Sequence, residues 1–203
     1  MTSIQGVQHM WDERYAVDEY VYGTEPNAFL AEHAGLLSGP VLSVAEGEGR
    51  NAVYLASLGL DVLGVDGSAV GLAKARRLAA AKGVSIRTET ADFALYEPPP
   101  ESFGAVVSIF AHMPGGLRKR VHRLAEQSLK PGGIILLEAY RKAQLGRGTG
   151  GPPDADMLMA RADLEQDFPN CEVLLAREIE RDVIEGIFHT GPACVVQFIA
   201  RKK

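Results

Sequence analysis

The 203 residues predict a single doubly wound α/β domain spanning 1–203, with helices on both faces of a mostly parallel sheet. Three observations predict it. Apolar or alternating runs, several rich in β-branched residues, recur at 41–44, 61–66, 84–88, 103–110 and 134–139, and the run at 103–110 is of buried-strand type. Segments with helical spacing or helix caps separate them, as parallel strands with crossover helices require. The stretch 41–66 runs strand, glycine turn, helix, then a second strand ending on Asp66.

The elements follow in chain order. Residues 11–22 hold the only tryptophan and three of the six tyrosines, and read as an amphipathic helix. Residues 23–27 break it, and 28–37 read as a second helix. This cap segment, 1–37, either packs its aromatics on the domain or closes over a site as a lid that excludes water. Val41-Leu-Ser-Val44 is the first strand, Ala45 to Gly49 the turn, and 52–58 a helix closed by Gly59. Ser68 caps a helix running to Lys82, where Gly83 stops it. On that helix Lys74, Arg76, Arg77 and Lys82 read as a solvated basic face. The strand at 84–88 delivers Ala91-Asp92-Phe93. The strand at 103–110 carries His112 just beyond its C-terminal end, where parallel sheets bind ligands.

Leu117, Val121, Leu124, Ala125 and Ser128 keep helical spacing, and Pro131-Gly-Gly precedes the strand at 134–139. Residues 141–156, with Gly146, Gly148, Gly150 and Gly151, read as a mobile lid loop beside the site or as a plain flexible connection. A short helix at 157–168 leads to two closing strands, 171–179 and 192–201, joined by a connection that holds Gly186 and His189.

Glycines between a strand and a helix allow a sharp turn and close approach of a ligand, and the first helical amides point at it. An acid ending the next strand reaches both hydroxyls of a ribose, so Asp66 marks a nucleoside site. Gly47-x-Gly49-x-x-Ala52 also fits a dinucleotide fingerprint, which keeps NAD open. The same stretch resembles the first motif of class I S-adenosylmethionine-dependent methyltransferases. Gly47-x-Gly49-Arg50-Asn51, a Trp11-x-x-Arg14-Tyr15 opening and the Gly186…His189 ending are similar to the tellurite-resistance (TehB-like) branch. Ser43 stands where that superfamily usually has an acid, Ala45 where it has a glycine, and Glu46 could supply the missing charge.

The resemblance implies a Rossmann-like seven-stranded sheet with its last strand antiparallel, S-adenosylmethionine as cofactor, and a small-molecule methyl acceptor. It implies cofactor contacts from Ala45, Glu46, Gly47, Gly49 and Asn51 in the turn, and from Asp66, Gly67 and Ser68 at the ribose. It further implies Ala91, Asp92 and Phe93 at the adenine, with Phe110 beside them and Arg14 at the carboxylate. His112 and His189 are the candidate catalytic groups; each taken alone could equally be a structural histidine. A thiol or chalcogen oxyanion needs little base help, whereas oxygen or nitrogen needs a proton acceptor. A non-catalytic S-adenosylmethionine binder is the alternative from another class, and Ser43 and Ala45 give it weight.

Composition narrows the partners. A net charge of −5 argues against nucleic acid, and no Asn/Asp-Pro-Pro-Tyr motif for exocyclic amino groups occurs. No apolar run reaches membrane length and no basic-then-apolar leader is seen, so the expectation is cytoplasmic. Cys171 and Cys194 lack metal or redox spacing, and no metal site is expected.

Overall fold

A computed structural model describes residues 4–203, with side chains from His9 onward; residues 1–3 of the cap segment lie outside the described residues. The elements are α1 (Ile4–Tyr15), α2 (Ala28–His33), β1 (Val41–Val44), α3 (Arg50–Ser57), β2 (Val62–Asp66) and α4 (Ala69–Ala81). There follow β3 (Arg87–Thr90), β4 (Phe103–Ile109), α5 (Gly115–Ser128), β5 (Leu129–Tyr140), α6 (Arg161–Asp167), β6 (Cys171–Glu185) and β7 (His189–Lys202).

The seven strands form one sheet in the order β3-β2-β1-β4-β5-β7-β6. The first five pair in parallel, and β7 runs antiparallel to both β5 and β6. Alternation along the buried strands sends side chains to two cores. Leu42, Val44, Val106, Ile135 and Leu137 meet Ala125 of α5 and Leu164 of α6 on one face. Val41, Val62, Ala105, Val107 and Leu136 meet Phe29 and Leu30 of α2 and Leu55 of α3 on the other. Truncating a buried leucine of this kind costs about 2–5 kcal/mol. Helices therefore cover both faces, as expected.

Several boundaries differ from the sequence reading. The first helix ends at Tyr15, and the chain from 16 to 27 is irregular. Where one helix was expected at 157–168, a 3-10 turn at Ala155–Met157 precedes a shorter helix, Arg161–Asp167. The connection expected between 179 and 192 is mostly strand, because β6 and β7 stay paired up to Glu185 opposite His189. Charges at Glu178, Glu180, Arg181 and Asp182 hide that strand, since an edge strand tolerates them.

Lys74 is the clearest correction. It is 1% exposed, pairs with buried Glu48 at 2.5 Å, and donates to the carbonyls of Val17 (2.9 Å) and Glu19 (2.5 Å). Among the described residues no helix is long and apolar enough to cross a membrane.

Candidate functional site

The sheet order reverses between β1 and β4, which opens a crevice at the C-terminal ends of the strands. The chain leaves β1 through a bend in which Ala45 (φ 54°), Gly47 (φ 61°) and Gly49 (φ 96°) are all left-handed. At Gly49 a side chain would lie 2.5 Å from Ala75 Cβ, so α3 and α4 can approach only with glycine there. Ala45 holds the same region without being glycine, at a cost of about 1 kcal/mol.

Asp66 faces the bend. Its Oδ2 accepts from the Gly47 amide and its Oδ1 from the Ser68 amide, both at 2.8 Å. Burial raises the carboxyl pKa, opposed by those amides. A carboxylate carries about four lone-pair sites, so two stay available to a diol. Gly67 and Ser68 continue from it; the Ser68 hydroxyl accepts from Gly71 N (3.0 Å) and donates to Asp12 of α1 (2.5 Å).

Glu46 turns inward, taking the Ser43 hydroxyl and, at 2.8 Å, the Ala52 amide of α3. Its carboxyl group therefore sits beside Ser43, where the resemblance leaves an acid missing. Burial pushes its pKa up to about 7, against the bonds from Ser43 and Ala52. The side-chain oxygen of Asn51 accepts from the Asn27 amide (3.0 Å) and ties the cap segment to α3.

At the end of β3, Ala91 N donates to the Asp66 carbonyl (2.9 Å), and Asp92 Oδ1 accepts from Ala94 N (2.9 Å). Phe93 packs edge-on against Tyr96. These residues lie next to Asp66 by register, since Asp66 pairs with Thr90. Arg14 instead donates to Tyr22 Oη (3.0 Å), its guanidinium lying over Trp11 and Phe188.

The candidate histidines come together, but in different states. His112 has both ring nitrogens engaged by backbone, Nδ1 with Phe110 O (3.0 Å) and Nε2 with Tyr140 N (2.9 Å). That arrangement leaves it no free lone pair for a substrate proton, so its geometry is that of a positioning residue. Burial lowers its pKa to about 4, opposed by the two backbone bonds. His189 opens β7 with its ring 4.7 Å from Tyr22, 4.8 Å from Phe110 and 5.3 Å from Tyr140. Burial first, then Arg50, lowers its pKa to about 3, so it is neutral at ordinary pH.

Four features escaped the sequence reading. Tyr15 lies on the bend, so that a side chain at Gly47 would meet its hydroxyl at 2.7 Å. Lys74 and Glu48 pin the chain that follows it. Tyr140, ending β5, stacks on Phe110 at 4.5 Å, while Phe110 itself is held left-handed at φ 52°. Behind them, Glu138 accepts from Asn27 (2.6 Å), Arg181 (2.9 Å) and Gln197 (2.7 Å), and Glu185 receives Asn27, Arg181 and Arg50. A glutamate within the apolar run 134–139 was the available signal for that network. The loop 141–156 is hydrogen-bonded down: Gln144 accepts from Cys194 N (2.8 Å) and donates to Thr149 and Gly150.

Residues 41–133, the segment that carries the bend and Asp66, match the methyltransferase domain family. Over 135 residues the chain is 26% identical to the 2-heptyl-1-hydroxyquinolin-4(1H)-one methyltransferase of Mycobacteroides abscessus. That match takes in 65% of this chain and 57% of the relative's length. The fold is similar to a structure from work on conversion of a disulfide bond into a thioacetal group during echinomycin biosynthesis (TM-score 0.76, 21% identity, 97% of this chain and 92% of the other). It is also similar to TehB from Haemophilus influenzae (TM-score 0.70, 18% identity, 97% of this chain and 67% of that one).

Proposed function

We propose that this protein transfers the methyl group of S-adenosylmethionine to a small-molecule acceptor. The observation that carries the reading is Asp66, whose carboxylate is fixed by the Gly47 and Ser68 amides at the mouth of a left-handed glycine bend. The residues fit the cofactor: Gly47 and Gly49 of the bend leave no room for side chains of their own, and Asp66 keeps lone pairs for two ribose hydroxyls. Ala45, Glu46, Gly47 and Gly49 would shape the bend, Asp66, Gly67 and Ser68 would hold the ribose, and Ala91, Asp92 and Phe93 the adenine. Phe110 would border the sulfur side, and Arg14 would reach the carboxylate after leaving Tyr22. When bound, the cofactor supplies a methyl group already activated on a sulfonium, so the chain's own task is alignment and exclusion of water.

A thiol or a chalcogen oxyanion is the acceptor class the sequence resemblance suggests, because a soft nucleophile needs little help from a proton acceptor. The curated relative's name points to a hydroxylated heterocycle, which makes a hydroxyl the second reading.

Calorimetric titration tests the cofactor: S-adenosylhomocysteine should bind, and NAD(H) should not. Binding of NAD(H) alone would mean a nicotinamide enzyme, and cofactor binding without turnover on any acceptor would mean a sensor. His189→Ala should lower kcat by at least about tenfold while leaving cofactor affinity within about twofold. Equal losses in both, or none, would make the side chain structural.

A further inference from the structure

Two buried polar atoms in the crevice have no hydrogen-bond partner: Oη of Tyr140 and Nδ1 of His189. Tyr140 is fully buried at the end of β5, and an unpaired hydroxyl there is unfavourable unless something completes it. Both groups belong to one aromatic cluster. Phe110 stacks on Tyr140 and meets His189 edge-on, and Tyr22 covers His189 from the cap segment. The glycine loop closes the same place. A side chain at Gly150 would come within 2.5 Å of Tyr140 Oη and 3.0 Å of His189 Cδ2.

We propose that Tyr140 Oη and His189 Nδ1 together hold the methyl acceptor, and that this acceptor is a weakly acidic hydroxyl or thiol carried on a flat aromatic ring. The proposal rests on the methyltransferase reading and names the substrate class for that site. One unpartnered donor and one unpartnered acceptor on rings 5.3 Å apart match a single X–H group: Tyr140 donates to a lone pair on X, and X–H donates to His189 Nδ1. The aromatic lining suits a planar ring. An oxyanion such as selenite suits the site poorly, because the nearby cations are already engaged. Arg50 holds Glu185, Arg181 holds Glu138 and Glu185, and Arg14 is bound to Tyr22.

In the reaction the proton of X–H passes to Nδ1 while X keeps the electron pair. The methyl group would take the proton's place on X as its bond to the sulfonium sulfur breaks, that electron pair staying on sulfur, and the imidazolium returns its proton to solvent, so one proton is released per methyl transferred. His189 is neutral beforehand and can accept it.

The test uses the full chain saturated with S-adenosylhomocysteine and follows 4-nitrophenol and 4-nitrobenzenethiol by their visible absorption. Both probes should bind, and Tyr140→Phe and His189→Ala should each weaken them by about tenfold with cofactor affinity unchanged. Tighter binding of the thiol assigns sulfur as the acceptor atom, and of the phenol, oxygen. Tyr140→Phe should also raise the melting temperature of the free protein by a few degrees, since it deletes an unpaired hydroxyl. Failure of S-adenosylhomocysteine to bind overturns the methyltransferase reading and this proposal with it. Cofactor binding without probe binding, probe affinity indifferent to both substitutions, or selenite displacing the probes overturns this proposal alone.

Discussion

Glu46 and the two site histidines give the protein opposed responses to pH. Burial holds His112 near 4 and His189 near 3, below the ordinary histidine value of about 6.5. As pH falls from about 6.5 toward 4, the unfolded chain takes up protons that the folded one refuses, so stability is lost on acidification. Glu46 works in reverse. Its pKa near 7 lies above the unfolded value of about 4.3, so the folded chain holds the extra proton and stability is lost as pH rises through that window. Glu46→Gln keeps the size and the bond from Ala52 N, with its amide NH2 donating to Ser43 Oγ in place of the present bond, but removes this opposing effect. Urea unfolding at pH 6.5 and 4.5 should therefore show a steeper acid loss in the variant, by roughly 2–3 kcal/mol at most. Parallel profiles for variant and wild type would show that Glu46 is solvated.

At this scale the sequence was legible wherever a role depends on near neighbours. Gly47, Gly49 and Asp66 lie within one βαβ unit, and their arrangement follows from it. Lys74 was misread because its partners are Glu48 and two carbonyls of the cap segment, none of them on its own helix. Tyr140 gave no sign of its place, since its neighbours Phe110 and His189 arrive from β4 and β7.

Among the elements, α1 sets the condition for ligand entry. Tyr15 lies against Gly47 and Gly71, and Asp12 takes the Ser68 hydroxyl, so the helix rests on the bend. On the proposed function, a nucleoside entering there would have to shift α1. Trp11, the one tryptophan of the chain, stacks on Tyr15 at 5.6 Å and reports that shift alone. Saturation with S-adenosylhomocysteine should change the intensity and maximum of its emission. An unchanged spectrum at full occupancy would mean that α1 stays where it is. Elements whose burial is two-sided, such as β1, β2 and β4, could be read from apolar runs. The far half of β6 could not, because its charged residues are answered across the sheet rather than along the chain.

For the molecule as a whole, the Glu138 network is the joint between parts distant in sequence. It connects the cap segment through Asn27, β6 through Arg181 and β7 through Gln197. Removing one partner of a buried charge cluster leaves the others uncompensated, which costs about 3–5 kcal/mol. Glu138→Ala should lose that much in denaturant unfolding, and a loss below about 1 kcal/mol would mean that water already reaches the cluster.

The sheet order carries one further consequence, for synthesis. β6 touches the rest of the sheet only through β7, which is made after it and must slot between two strands already present. During translation the nascent chain therefore exposes an unfinished β5 border and an unattached β6 until the last strand clears the ribosome. That interval is when a chaperone has most reason to bind.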